Sequence, residues 1–221
     1  METSQWPGSR GEHLLQEKFG STARARAFYR SQVRSYLNPW MQKFITGQEM
    51  AFIATADAQG TCDCTFRAGV KGFIHVLDKR TLAYPEYRGN GVYASLGNLV
   101  ENPHIGLLLI DFFRHTIGLH VNGTAAVVSN EDLLRRANVP ADLRQEIESA
   151  AGPPLSLWVV VHVEEAYIHC AKHIPRLANR EKAIDWGTDD YRKKGGDYFH
   201  VDGSAEALVD KEFGCPVHVQ T

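Results

Sequence analysis

Thr81-Leu82-Ala83-Tyr84-Pro85-Glu86-Tyr87-Arg88-Gly89-Asn90-Gly91 carries a short apolar run into a glycine-rich corner, and Ser95-Leu96-Gly97-Asn98 follows closely. Gly89 and Gly91 on either side of Asn90 let the backbone turn tightly and present N–H groups outward. A helix beginning near Val92 adds the positive end of its dipole. Such a corner attracts phosphate. Arg67 and Arg88 are the guanidinium groups able to bind it through charge-assisted pairs of hydrogen bonds. The alternative is a plain glycine turn with solvated arginines.

Upstream of this corner the chain advances by local antiparallel steps. Residues 73–77 and 81–84 flank Asp78-Lys79-Arg80 as one hairpin. Before it, residues 51–56 end at Asp57-Ala58-Gln59-Gly60, and the alternating Thr61-Cys62-Asp63-Cys64-Thr65-Phe66 makes another. Residues 22–44 read as helix, with Ala27, Phe28, Val33, Tyr36 and Leu37 near helical spacing and Asn38-Pro39 as a break. Downstream, residues 92–99 form a short helix closed by Asn102-Pro103, because proline disfavours helical geometry in the residue before it. Strands follow over 105–111 and 117–128; Leu107-Leu108-Leu109-Ile110 is a continuous apolar run of the kind found where both faces are covered. Asn130-Glu131-Asp132 starts a helical region. Residues 155–171 read as the last long strand, bulged or bent at Glu164-Glu165. The fold class is mainly β with peripheral helices (α+β), and this strand pattern by itself suggests a small closed antiparallel barrel.

With 221 residues and 43% hydrophobic content, the chain can bury the core of one domain. A net charge of −2 and the lack of a long basic run argue against a nucleic-acid partner. Residues 1–20 are polar, no run is long enough to span a bilayer, and the expectation is a soluble cytoplasmic protein. Cys62, Cys64, Cys170 and Cys215 lack the paired spacing of a zinc site and read as reduced, partly buried thiols. Trp6, Trp40, Trp158 and Trp186 read as packing residues, although Trp186 is also a candidate to cover a ring.

Arg67-Ala68-Gly69-Val70-Lys71-Gly72 ends a strand with small residues, against which a flat ring can lie. A bulge or turn is the simpler reading of those glycines. In combination, Phe66-Arg67-Ala68-Gly69, Val76-Leu77-Asp78, Thr81-Leu82-Ala83-Tyr84-Pro85, Arg88-Gly89-Asn90-Gly91, Ser95-Leu96-Gly97-Asn98, Glu101-Asn102-Pro103, Leu119-His120-Val121-Asn122-Gly123 and Tyr167-Ile168-His169-Cys170 resemble the pyridoxamine 5'-phosphate oxidase-like FMN-binding split barrels. The resemblance covers residues 48–176 and is strongest to the predicted flavin-nucleotide-binding proteins of that group.

The resemblance implies an antiparallel six- or seven-stranded split β-barrel over residues 48–176, preceded by a helical extension (1–47) and followed by a helical or irregular one (177–221). It implies a homodimer with FMN between the subunits. By position, Phe66, Arg67, Ala68, Gly69 and Val70 match the strand beside the flavin, and Tyr84 and Pro85 match residues beside its ring. Arg88, Asn90, Gly91, Ser95 and Asn98 fall in the phosphate-binding region, and His120 and His169 are the histidines expected to face the cleft between subunits. Classical members carry an Arg-Lys pair where this chain has Asn90-Gly91, and their C-terminal Arg-x-His element is missing here, so oxidation of vitamin B6 itself does not carry over. The function expected is an FMN-dependent oxidoreductase acting on a small molecule by hydride transfer. The alternatives are a deazaflavin-dependent reductase and a non-catalytic flavin- or haem-binding protein.

Overall fold

A computed structural model describes residues 6–87, 89–149, 157–178 and scattered positions between 180 and 201. Two units divide the chain, residues 1–180 and residues 181–221. Of the second, the described positions include a turn in which the amide of Lys194 donates to the Asp190 carbonyl and that of Gly195 to the Arg192 carbonyl. Arg88, Trp186 and Cys215, and most of the chain beyond residue 195, lie outside the described residues.

The first unit opens with α1 (Arg10–Lys18) and α2 (Thr22–Gln32). The Ser9 side chain accepts from the Glu12 amide while the Glu12 carboxylate accepts from the Ser9 amide, a reciprocal cap that starts α1. The long helix expected over 22–44 is two helices. After α2 the chain becomes extended, and Arg34 exchanges both backbone hydrogen bonds with Ala166. α3 (Pro39–Ile45) then begins on Asn38, whose side chain accepts from the Met41 amide.

Seven antiparallel strands follow: β1 (Met50–Ala56), β2 (Cys62–Ala68), β3 (His75–Asp78), β4 (Thr81–Glu86), β5 (His104–Asp111), β6 (Ile117–Ser129) and β7 (Leu157–His169). α4 (Ala94–Glu101) lies between β4 and β5, and α5 (Asn130–Leu134) and α6 (Ala141–Ser149) between β6 and β7. The strand order is β2-β1-β5-β6-β7-β4-β3. The closed barrel suggested by strand periodicity is therefore corrected to a split one: β2 and β3 are edges that share no ladder. At the seam a side-chain pair, Arg67 on β2 with Glu86 on β4, spans the gap that backbone hydrogen bonds leave open.

Alternation sets the core. Ala51 and Ile53 on β1, Ile105, Leu107 and Leu109 on β5, Leu119 and Val121 on β6, and Val159, Val161 and Val163 on β7 are buried together with Leu96 and Leu99 of α4. On β7 the phase then slips. Asn122 pairs with Glu165 but Gly123 pairs with Val163, so Glu164 is the extra residue of a β-bulge at the position expected from sequence. Beyond it Ala166 points inward, and Tyr167 and His169 point outward beside His120.

α5 and α6 cover the outer face of β4 and β7, burying Trp158, Val160, Ala83, Leu133 and Leu143 in a second cluster. The outer face of β2, β1 and β5 has no such cover. Phe66 is 52% exposed there, and Phe52, Leu108 and Ile110 are half-buried, so the apolar run on β5 is packed on one face only within the chain.

Candidate functional site

β2 departs from the pattern of its neighbours. The side of it that faces the barrel carries Asp63, Thr65 and Arg67, where β1, β5 and β6 carry aliphatic side chains. Asp63 and Arg67 find polar partners across the crevice between β2, α4 and β4, and Thr65 accepts from Arg67 of its own strand. Ser95 of α4, 5% exposed, donates to Asp63 Oδ2 at 3.0 Å. Asn98, one turn on, donates to Thr55 Oγ1 of the adjacent strand at 3.0 Å. Arg67 donates through Nη1 to Thr65 Oγ1 at 3.0 Å and through Nη2 to both oxygens of Glu86 at 3.0 Å.

The Arg67–Glu86 pair is poorly hydrated, with 22% and 11% of the two side chains exposed. Burial pushes the Glu86 carboxyl above its ordinary value, and the neighbouring guanidinium only partly opposes this. Tyr84 lies next along the inward face of β4 and is 2% exposed. Burial drives its hydroxyl well above the phenol range, with Arg67 pulling it down and Glu86 adding to the rise. Arg67 Nε is buried without any hydrogen-bond partner. An orphaned guanidinium N–H in such a place leaves a donor for an anionic group.

The glycine-rich corner ends beside this crevice. Asn90 Oδ1 accepts from the Val92 amide, Gly91 takes φ +82°, and Tyr93 is held left-handed at φ +55°. Tyr93 provides no side-chain cap to α4. Among the described residues the first amides of α4 therefore have no side-chain cap, and they sit in the same segment as Ser95.

The remaining expected residues occupy three other environments. Phe66 faces away from Arg67 and packs edge-on against Phe52, their ring centres 5.7 Å apart. Ala68 ends the ladder opposite Met50; Gly69 is buried, with room for a Cβ denied by Phe73 at 2.3 Å, and Val70 is 66% exposed. Pro85 is buried opposite Trp158.

His120 and His169 meet on the outer face of β6 and β7. Their Nε2 and Nδ1 atoms are 2.9 Å apart, and the His120 ring stacks on Tyr167 at 4.6 Å. Burial and the adjacent His169 hold His120 below its ordinary value. Gly118 makes this possible, because a Cβ there would stand 2.8 Å from that of His169. Asn122 donates to Glu165 beside them at 3.1 Å.

Among the described residues, no cluster of three or more His, Cys, Asp or Glu side chains could hold a metal ion, and no helix is long and apolar enough to cross a membrane. The thiols of Cys62, Cys64 and Cys170 are free and exposed, not partly buried as expected, because their strand positions face outward or lie at a strand end. Trp40 is likewise exposed, whereas Trp158 is fully buried. Asp63, Thr65 and Glu86 were not among the expected site residues; strict alternation with Arg67 along β2 was the available clue to the first two.

The family model for pyridoxamine 5'-phosphate oxidase matches residues 37–170. Searching curated proteins gave no match. Solved structures similar to the chain include HupZ from Group A Streptococcus, 19% identical over 64% of this chain and 98% of that one with a TM-score of 0.44. A putative pyridoxamine 5'-phosphate oxidase from Lactobacillus delbrueckii is 21% identical over 61% of this chain and 95% of its own, also at 0.44. The haem storage protein HutZ from Vibrio cholerae is 15% identical over 60% and 94%, at 0.38.

Proposed function

The chain belongs to the pyridoxamine 5'-phosphate oxidase family, and from that premise we propose that it is an FMN-binding oxidoreductase that acts on a small molecule as a homodimer. The observation that carries this reading is the polar inward row of β2, with a buried and unpartnered Arg67 Nε beside the uncapped start of α4. A phosphate monoester needs several N–H donors and a cation in a partly dehydrated place, and this donor set fits it.

In this reading Arg67 Nε and the amides at the start of α4 hold the phosphate, and Ser95 and Asn98 keep β2 and β1 in register with the helix through Asp63 and Thr55. Asn90-Gly91 supplies backbone donors and no cation, so Arg67, whose charge is shared with Glu86, is the cation of the crevice among the described residues. The outer face of β2, β1 and β5 is the surface on which the second copy packs, covering Phe52, Phe66, Leu108 and Ile110. FMN, when bound, accepts and returns a hydride; the protein orients it and excludes water from its ring. No described side chain is required as a proton shuttle for such a transfer.

The absorption spectrum of the purified full chain, with the mass of any released chromophore, tests this directly. Flavin bands, or quenching of added FMN fluorescence at micromolar concentration, are expected. A colourless protein that leaves FMN fluorescence unchanged refutes the proposal. Arg67→Ala should weaken FMN binding by about tenfold or more, the loss expected for a charge-assisted contact to phosphate; unchanged affinity removes Arg67 from the site.

A further inference from the structure

A guanidinium grips an oxyanion best through two parallel N–H groups, and the edge formed by Nε and Nη2 is one such pair. In Arg67 that edge is divided. Both oxygens of Glu86 crowd onto Nη2 at 3.0 Å each, Nη1 donates to Thr65 Oγ1, and Nε is buried without a hydrogen bond. A carboxylate of the chain itself thus stands on one half of the edge that an incoming phosphate needs whole.

Backbone pairing sets this arrangement. Glu86 ends β4 opposite Leu157 of β7, and alternation with the buried Leu82 and Tyr84 turns it to the barrel side. Arg67 stands in the β1–β2 ladder opposite Ala51. β2 and β4 share no ladder, so the two side chains can part without breaking a backbone hydrogen bond between strands. Glu86 is 11% exposed, and Arg67 is its hydrogen-bond partner. Moved off Nη2, it becomes a desolvated carboxylate without its cation, the state in which a carboxyl takes up a proton.

Few ionisable groups surround it among the described residues. On β4, Tyr84 is next on the same face, its phenol kept protonated by burial, and the following Tyr87 feels Glu146 of α6 rather than Glu86. β7 places Leu157 and Trp158 opposite the end of β4. On the inward row of β2 the other carboxylate, Asp63, accepts from Ser95. The one charged residue of α4 is Glu101, whose carboxylate accepts from the Ala58 amide. Arg67 is the cation that opposes burial at Glu86.

We propose that Glu86 is a built-in competitor for the anion at Arg67: a phosphate takes Nε and Nη2 together only as the Glu86 carboxylate leaves Nη2, and a proton from solvent neutralises the displaced carboxyl. This rests on the reading of the crevice as a phosphate site and adds its regulation. Two anions on one guanidinium repel strongly in a poorly hydrated place, so one of them yields. Anion binding and proton uptake are then linked, with acid favouring the open edge and a bound anion favouring protonated Glu86. A glutamate that merely holds the seam of the barrel has neither property, and removing its charge tightens no ligand.

Glu86→Gln keeps the size of the side chain and an acceptor for Arg67 but removes the charge. Fluorescence titrations of the full chain with FMN, and with riboflavin as the phosphate-free control, compare it with wild type. The variant should bind FMN about tenfold more tightly at about pH 8 and riboflavin equally, and its advantage should be smaller at about pH 5.5. Taking the ratio of the two proteins cancels the titration of the ligand's own phosphate. Sulfate, ionised throughout this range, separates the role of Glu86 from the flavin reading. It should raise the melting temperature of Glu86→Gln more than that of wild type, with Arg67→Met/Glu86→Leu as the baseline for general salt effects. Wild type alone should gain more from sulfate at about pH 5.5 than at about pH 8, which keeps the test decisive if the variant folds poorly. Absence of FMN binding in both proteins refutes the flavin reading, and the sulfate comparison then decides the role of Glu86. Equal responses of the two proteins, weaker binding in Glu86→Gln, or a wild-type sulfate gain that does not change with pH overturns the proposal.

Discussion

Replacing Arg67 with Met tests how the split in the barrel is held. Only 11% of the Glu86 side chain is exposed, and its carboxyl already sits above 4.5 because burial outweighs what Arg67 contributes. Removing the guanidinium leaves this carboxylate desolvated and unpaired. Breaking a fully buried pair from one side costs about 3–5 kcal/mol, and the partial exposure of Arg67 reduces the expected loss at neutral pH to about 2–3 kcal/mol. The sign with pH follows from linkage: a carboxyl whose folded-state value is raised binds more protons folded than unfolded, so its contribution falls as pH rises above 4.5. In Arg67→Met the folded value rises further, so the deficit relative to wild type should be smaller at about pH 5 than at neutral pH, because lower pH favours the protonated carboxyl. Other groups titrate in both proteins and cancel in the difference. Urea unfolding at both pH values measures it, with Arg67→Met/Glu86→Leu as the complement, expected to recover to within about 1 kcal/mol of wild type. A deficit below about 0.5 kcal/mol, an equal deficit at both pH values, or no recovery in the double variant would refute the reasoning.

His120, held below 6.5 by burial and by His169, favours the neutral ring; stability is complete above 6.5 and declines as pH falls through that value, and His120→Gln should flatten the decline in urea titrations. Gly123→Ala sets a Cβ 1.9 Å from the His162 carbonyl oxygen beside the bulge, which backbone cannot easily relieve, and should lower thermal stability by about 3 kcal/mol. Phe66→Asp on the uncovered outer face should leave the fold intact by circular dichroism and convert the proposed dimer to a monomer in light scattering; an unchanged mass would remove that face from the interface.

Both hairpins, the α4 segment and the long strands were legible because each is bounded by residues whose local chemistry ends a strand or helix: Asp57 to Gly60, Asp78 to Arg80, and Asn102-Pro103. The bulge at Glu164 was legible for the same reason, since two adjacent glutamates interrupt an apolar run. Other features depended on distant partners. The expected helix over 22–44 breaks where Arg34 finds Ala166; the split of the barrel followed from the family resemblance and not from strand periodicity, because β2 meets β4 through side chains and not through a ladder. α1 was announced by Ser9 and Glu12 at capping-box spacing, but none of its residues is buried, so no apolar stripe drew attention to it. In the site, Arg67, Ser95 and Asn98 could be singled out one at a time, but their partners could not: Glu86 lies nineteen positions from Arg67, and Ser95 thirty-two from Asp63. His120 and His169 were each noticed, yet only the register slip at Glu164 turns His169 to the same face.

That slip bears on how the proposed site would be assembled. Arg67, Glu86 and Ser95 face the barrel side of the sheet, whereas His120, Tyr167 and His169 face away from it, and among the described residues no hydrogen bond or ring contact joins the two groups. A ligand held at the crevice by one chain therefore has no access to the histidine pair of that same chain through any contact present. If β7 ran without its extra residue, Tyr167 and His169 would turn into the aliphatic core and the pair would be lost. The bulge instead places two imidazoles and a phenol on the same broad side of the sheet that leaves Phe52, Phe66 and Leu108 uncovered. Under the proposed two-fold packing, that apolar face supplies the area for association, and the histidines stand at its margin, where the second copy would meet them.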